Sequence, residues 1–205
     1  MRDRTTALAG STWLGVLLVL APGLWMLVEL FLVNDPTIAA DPVEYVLRHL
    51  GFVAVVLLVA TLLLVPLAGA FPKWSWLQAL RRQRRLWGVS AGFYAVLHVA
   101  IHFVGEGGLA TYGRDWAKPF FLSGALALMV LLLLLVTSIP GAVRYLGARR
   151  WKRLHRGVYL AAALALYHQI HAHKVFPVEV VGIFGPLVCL EVLRVFRFLR
   201  KSGQA

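Results

Sequence analysis

The chain has little charge, less acid and almost no cysteine. Only 15% of its 205 residues are Asp, Glu, Lys or Arg, nine of them acidic, whereas 60% are hydrophobic. That leaves too little polar surface to cover a soluble globule. Cys189 stands alone, which excludes an internal disulfide, a thiolate metal cluster and a Cys-x-x-Cys redox pair. A single thiol in an apolar helix behaves as a small hydrophobe. No GxGxxG or Walker sequence is present, so no nucleotide site is encoded, and Ser123-Gly124 lacks the GxSxG frame of a serine nucleophile. The sequence also has no internal repeat, low-complexity linker or soluble cap.

What the chain has instead is apolar length. Six stretches can be marked, at about residues 13–33, 46–68, 86–105, 119–139, 155–172 and 177–199. Each is long enough, at about 1.5 Å rise per residue, for the roughly 30 Å of hydrocarbon in a bilayer. Arg2 and Arg4 precede the first stretch as they would a signal peptide, but its apolar run is too long and no small-x-small cleavage site follows Leu20–Trp25. It reads as a retained helix. The expected fold is an all-α polytopic bundle of six transmembrane helices in a single domain.

A net charge of +12 would suggest nucleic acid in a soluble chain, but its distribution assigns it to membrane topology. Of the 21 lysines and arginines, 17 fall in the N-terminus, the 69–87 and 140–157 connections and the C-terminal end. Only Arg48, Arg114, Lys118 and Lys174 lie in the alternate connections, where Asp35, Asp41, Glu44, Glu106 and Asp115 collect. Basic flanks are cytoplasmic, and an even span count puts all four basic segments on one side. Both termini are expected in the cytoplasm, with a basic face suited to anionic lipid headgroups. Trp74, Trp76, Trp87, Trp116 and Trp151 fall near span ends, as interfacial aromatic belts do.

Histidines carry the chemistry. An ionisable side chain in a transmembrane helix is costly and usually faces the bundle interior with a task to perform. Imidazole is also a frequent axial ligand of haem iron. Counted outward from the cytoplasmic ends, His98 lies about 18 Å along the third helix and His168 about 21 Å along the fifth. Two imidazoles at one level on facing helices can clamp an iron from both sides; alternatively they hydrogen-bond between helices. His155 lies about 20 Å nearer the cytoplasm than His168. There the third helix offers Arg84 and Arg85 but no histidine, so an inner haem would lack a matching partner. His102, one turn outward of His98, reads as an alternative ligand, a propionate partner or an interfacial residue. His171 and His173 extend an outer cluster that would suit zinc or copper, and His49 reads as interfacial.

The residues around these histidines resemble a known family. Arg84-Arg85-Leu86-Trp87-Gly88, continuing through Phe93-Tyr94-Ala95 to Leu97-His98, is similar to the third-helix signature of the MsrQ (YedZ) family. Lys118-Pro119-Phe120 with Gly124 resembles the family's Arg-Pro-Tyr…Gly at the start of the fourth helix, and Thr137-Ser138 its end. Gly147, Trp151-Lys152-Arg153-Leu154-His155 and Tyr159 match the start of the fifth, and His168 falls at its other histidine. Asp41-Pro42 also fits, and the resemblance runs through most of the chain.

It implies a ferric-reductase-like transmembrane domain in a bacterial inner membrane, binding haem b (one or two) and FMN. The electrons would come from the quinol pool or a cytoplasmic flavin reductase. They would go to a periplasmic molybdopterin enzyme, MsrP-like, that reduces methionine sulfoxide in proteins. The family's haem histidines carry over to His98, His155 and His168. Lys118 in place of Arg is a departure, and His102, His171 and His173 lie outside the pattern. Arg84, Arg85 and Arg153 are positioned to neutralise haem propionates or an FMN phosphate, although positive-inside topology also accounts for them. The chain is thus expected to be an electron-transfer subunit rather than the catalytic one. The rival readings are a metal transporter with an outer histidine cluster and a direct ferric reductase.

Overall fold

Asp-Pro pairs open two successive helices after the first. Asp35 accepts the backbone N–H of Thr37 at 2.8 Å and Asp41 that of Glu44 at 2.9 Å, each with proline at the first helical position. Proline there sacrifices no helical hydrogen bond, and the carboxylate satisfies an orphan donor. The structure, a computed structural model, describes residues 2–105, 117–172 and 177–202. Among these the chain is helical without strands: α1 (Arg2–Leu32), α2 (Pro36–Ala40), α3 (Pro42–Ala70), α4 (Ser75–Arg82), α5 (Arg84–Gly105), α6 (Pro119–Val136), α7 (Pro140–Leu154), α8 (Gly157–His171) and α9 (Glu179–Ser202).

The all-α membrane bundle follows the apolar stretches closely. Helix α3 is its centre: 56% of its apolar window is buried, against 17–22% for α1, α5 and α6. Leu57, Leu58, Val59 and Leu62 form the tightest part of the core. The most extensive packing is between α3 and α5 and between α6 and α8, so the bundle is built from two helix pairs, with α1 and α9 laid against α3. Outward faces stay apolar, as at Leu17, Phe31, Met129, Leu133 and Val192, which suits contact with lipid. Cys189 lies on such an exposed face.

Four described helices are long and apolar enough to cross a bilayer: Trp13–Leu32 of α1, and α3, α5 and α6. The predicted count of six is therefore not reached on that criterion. Helix α8 has 15 residues, about 22 Å at the helical rise, and α9 carries Glu191 and Arg194 among its apolar residues.

The basic connections, expected as loops, hold helices of their own. In α4 the buried Leu77 faces the core while Arg81 and Arg82 are exposed, and Gln78 donates to the Ala68 carbonyl at 2.7 Å, capping the end of α3. Helix α7 contributes no buried side chain and bends at Gly147, whose φ of 72° and ψ of 154° only glycine adopts without strain.

Helix α1 is pinned through its backbone near Pro22, which removes one donor from its ladder. The Tyr94 hydroxyl donates to the Val19 carbonyl at 3.0 Å, and His49 Nε2–H to the Pro22 carbonyl at 3.0 Å. Tyr45 donates to Glu29 in the same contact. His49 is thus a half-buried link between α1 and α3 rather than a purely interfacial residue.

Candidate functional site

Two glycines bring two histidines into register. His98, on α5, lies against Gly51 of α3, where an added Cβ would stand 2.9 Å from the ring's Nδ1. His168, on α8, lies against Gly124 of α6, where it would stand 2.6 Å from Nδ1. A side chain at either glycine would occupy the space of the ring. With the rings pressed onto the neighbouring backbone, His98 Nδ1 meets the Leu47 carbonyl at 2.9 Å and His168 Nδ1 the Phe120 carbonyl at 2.8 Å. A carbonyl only accepts, so both Nδ1 atoms carry the proton and each Nε2 presents a lone pair. Ser123 donates to the same Phe120 carbonyl at 2.7 Å.

The two rings converge. Their centres are 6.3 Å apart with planes at 81°. Metal–imidazole bonds are about 2 Å long, so two rings gripping one ion from opposite sides are centred roughly 6 Å apart. The spacing fits a single iron between them, and the Nδ1–H···O=C bonds are the second-shell support that metal-binding histidines commonly have. The depth argument from sequence is met in space, for helices α5 and α8 bring these two residues to one level.

The other predicted site residues divide into three places. His102 is one turn outward, half-buried, its ring 5.6 Å from that of Phe121. His171 is exposed and stacked on Tyr167 at 4.1 Å, with Nδ1 on the Tyr167 carbonyl at 2.9 Å. His173 lies outside the described residues. Among the described residues, no three His, Cys, Asp or Glu side chains are grouped to hold a metal ion, so the outer cluster expected of a metal transporter is not assembled there.

His155 sits in a separate cluster at the end of α7. It stacks on Trp151 at 3.9 Å, its Nδ1 is 3.2 Å from the Trp151 carbonyl, and its Nε2 is 3.4 Å from Ser138 Oγ. Trp151 Nε1 donates to the Thr137 carbonyl at 2.9 Å, and Arg85 donates to that of Ser138. The half-buried Arg84 lies close enough for its charge to act on His155. Arg153 is exposed on α7. The fold therefore gathers His155, Arg84 and Arg85 around the end of α6 and leaves Arg153 on the surface.

Comparison with known proteins meets this geometry. A family described as "Ferric reductase like transmembrane component" matches residues 50–166, from just before Gly51 to two residues short of His168. Three relatives are named "protein-methionine-sulfoxide reductase heme-binding subunit MsrQ". The protein from Deinococcus radiodurans is 39% identical over 76% of this chain and 76% of its own. That from Rhodospirillum rubrum is 36% identical over 82% and 81%, and that from Salmonella enteritidis 36% over 91% and 94%. The chain belongs to the MsrQ family of ferric-reductase-like transmembrane proteins. In this chain the histidines stand out in the sequence and their supports do not. The sequence pattern gives no site role to Gly51, the Leu47 and Phe120 carbonyls, Ser138 or Trp151.

Proposed function

We propose that this chain is the haem b-binding membrane subunit of a protein-methionine-sulfoxide reductase system, with one haem held between His98 and His168. The observation that carries the reading is the paired imidazoles 6.3 Å apart, each with Nδ1 on a carbonyl of the neighbouring helix. Bound there, the haem supplies one-electron transfer by cycling between ferric and ferrous states. The residues supply the rest. His98 and His168 would hold the haem iron, the carbonyls of Leu47 and Phe120 would raise their basicity, and the apolar core would exclude water. Two protein ligands would leave no open position for a substrate at the iron, so the site would serve to pass electrons on.

The direction of flow follows from the same reading. Six spans with both termini in the cytoplasm of a bacterial inner membrane account for the 17 basic residues on one face. His168 and His98 then lie toward the periplasm and His155 toward the cytoplasm. We assign His155 to an inner haem, whose propionates Arg84 and Arg85 would neutralise; an FMN phosphate would meet the same arginines. In this reading electrons would enter on the His155 side from a quinol or a flavin reductase and would leave from the side of His98 and His168 to a periplasmic, molybdopterin-containing catalytic subunit. The relatives' names, which call them subunits of a methionine-sulfoxide reductase, support such a partner.

The test is spectroscopic. His98→Ala and His168→Ala should each turn a six-coordinate low-spin haem into a five-coordinate or lost one. Wild-type spectra in both variants, or loss of haem in His102→Ala with His98→Ala unaffected, would overturn the ligand assignment.

A further inference from the structure

The two ligand positions are built by one device used twice. On α5, Gly88, Ala91 and His98 follow one another, and on α8 Gly157, Ala161 and His168 do so at nearly the same spacing. Ala91 and Ala161 precede their histidines by seven residues, two turns along one stripe, and both are fully buried at 0% exposure. Gly88 approaches Thr61 on α3, and Gly157 approaches Val130 on α6, each with ordinary contact for an added Cβ at 3.6 Å. In both pairs the histidine meets a glycine of the partner helix, and its Nδ1 bonds the carbonyl four residues before that glycine. The pairs α3–α5 and α6–α8 are thus two copies of one arrangement, facing each other across the site. The linear sequence hides this, since little besides glycine, alanine and histidine recurs.

We propose that Gly51 and Gly124 are positioning residues for the haem ligands. Lacking a Cβ, each lets a ring lie directly on the helix, and the carbonyl one turn earlier then fixes the ring's rotation about the iron–nitrogen axis. Because each ring is fixed by a different helix pair, neither orients the other, and their planes stand crossed at 81°. The device sets two properties of the iron. Crossed planes determine the electronic splitting of the ferric state, and the two Nδ1–H···O=C bonds increase the electron donation of both imidazoles, which favours ferric over ferrous iron. This proposal rests on the haem reading above and deepens it.

The experiment uses the full-length, haem-loaded protein and reads ferric electron paramagnetic resonance together with the midpoint potential. The haem held by His98 and His168 should give the low-field feature with a large g value that perpendicular imidazole planes produce, read in His155→Ala as well as in wild type so that an inner haem does not overlap it. Gly51→Ala and Gly124→Ala place a methyl group within 3 Å of the ring, so each should replace that feature with a rhombic or high-spin signal and move the potential upward. Gly69→Ala and Gly182→Ala, where an added Cβ meets nothing within 4 Å, should keep both the wild-type signal and the potential. Should the first two variants also keep them, glycine has no positioning role and the proposal fails while the haem reading stands. Should those variants not accumulate, wild type alone decides, because a rhombic parallel-plane spectrum contradicts the geometry. A haem-free wild type contradicts the underlying haem reading as well.

Discussion

Ala161→Leu is the most informative change outside the ligands themselves. Ala161 has no exposed surface, one turn beyond Gly157 and one before the buried Ala165, in a seam of small residues that lets α8 approach α6. In a bilayer such close packing, rather than burial from water, holds helices together. Leucine adds three carbons where there is no room. The gain of about 0.8 kcal/mol per buried methylene seen in water is largely absent, because the exposed alternative is already lipid. The overpacking cost of about 1–3 kcal/mol therefore dominates. At about 1.4 kcal/mol per tenfold, this weakens the α6–α8 pairing by about 5- to 150-fold. His168 rides on that pairing, so haem retention should fall with it. The assay is haem bound per protein after graded heating in detergent. Ala163→Leu, two residues on and exposed, is the matched control and should stay within about 0.5 kcal/mol of wild type. Equal haem retention in the two variants would refute the packing argument.

Further expectations follow from the other histidines and from the charge distribution. His102→Ala should change the absorption spectrum little, since His102 lies against Phe121 and outside the ring pair. His155→Ala should lower the haem-to-protein ratio without abolishing the outer haem's spectrum and should slow quinol-driven reduction; if both match wild type, His155 is a packing residue and the chain carries a single haem. Reporter fusions at Gly107 and Ala205 should report opposite compartments, and the same compartment for both would refute the span count.

The helices were legible because apolar length is written residue by residue. The predicted 46–68 and 86–105 lie inside the observed Pro42–Ala70 and Arg84–Gly105. The pairing of His98 with His168 was legible for a related reason, since depth along a helix is only residue count multiplied by rise. Rotation and neighbour identity were not. Nothing in the one-dimensional pattern says that Gly51 rather than Phe52 faces His98, because that depends on the register of α3 against α5. Helices α4 and α7 were hidden by their charge: α4 is only eight residues long and shows one narrow apolar face, and α7 buries no side chain at all. His155 was visible as a residue, but its contact with Ser138, and that of Trp151 with the Thr137 carbonyl, depend on how the end of α7 folds back on the end of α6.

The central claim is that the protein binds haem through two imidazoles, and one measurement tests it directly: the absorption spectrum of the purified wild-type protein, oxidised and then reduced with dithionite. The paired rings of His98 and His168 predict a sharp Soret band that shifts on reduction and a well-resolved α band, both of a six-coordinate low-spin b haem. A colourless protein, or one whose haem is high-spin in both states, would contradict the account.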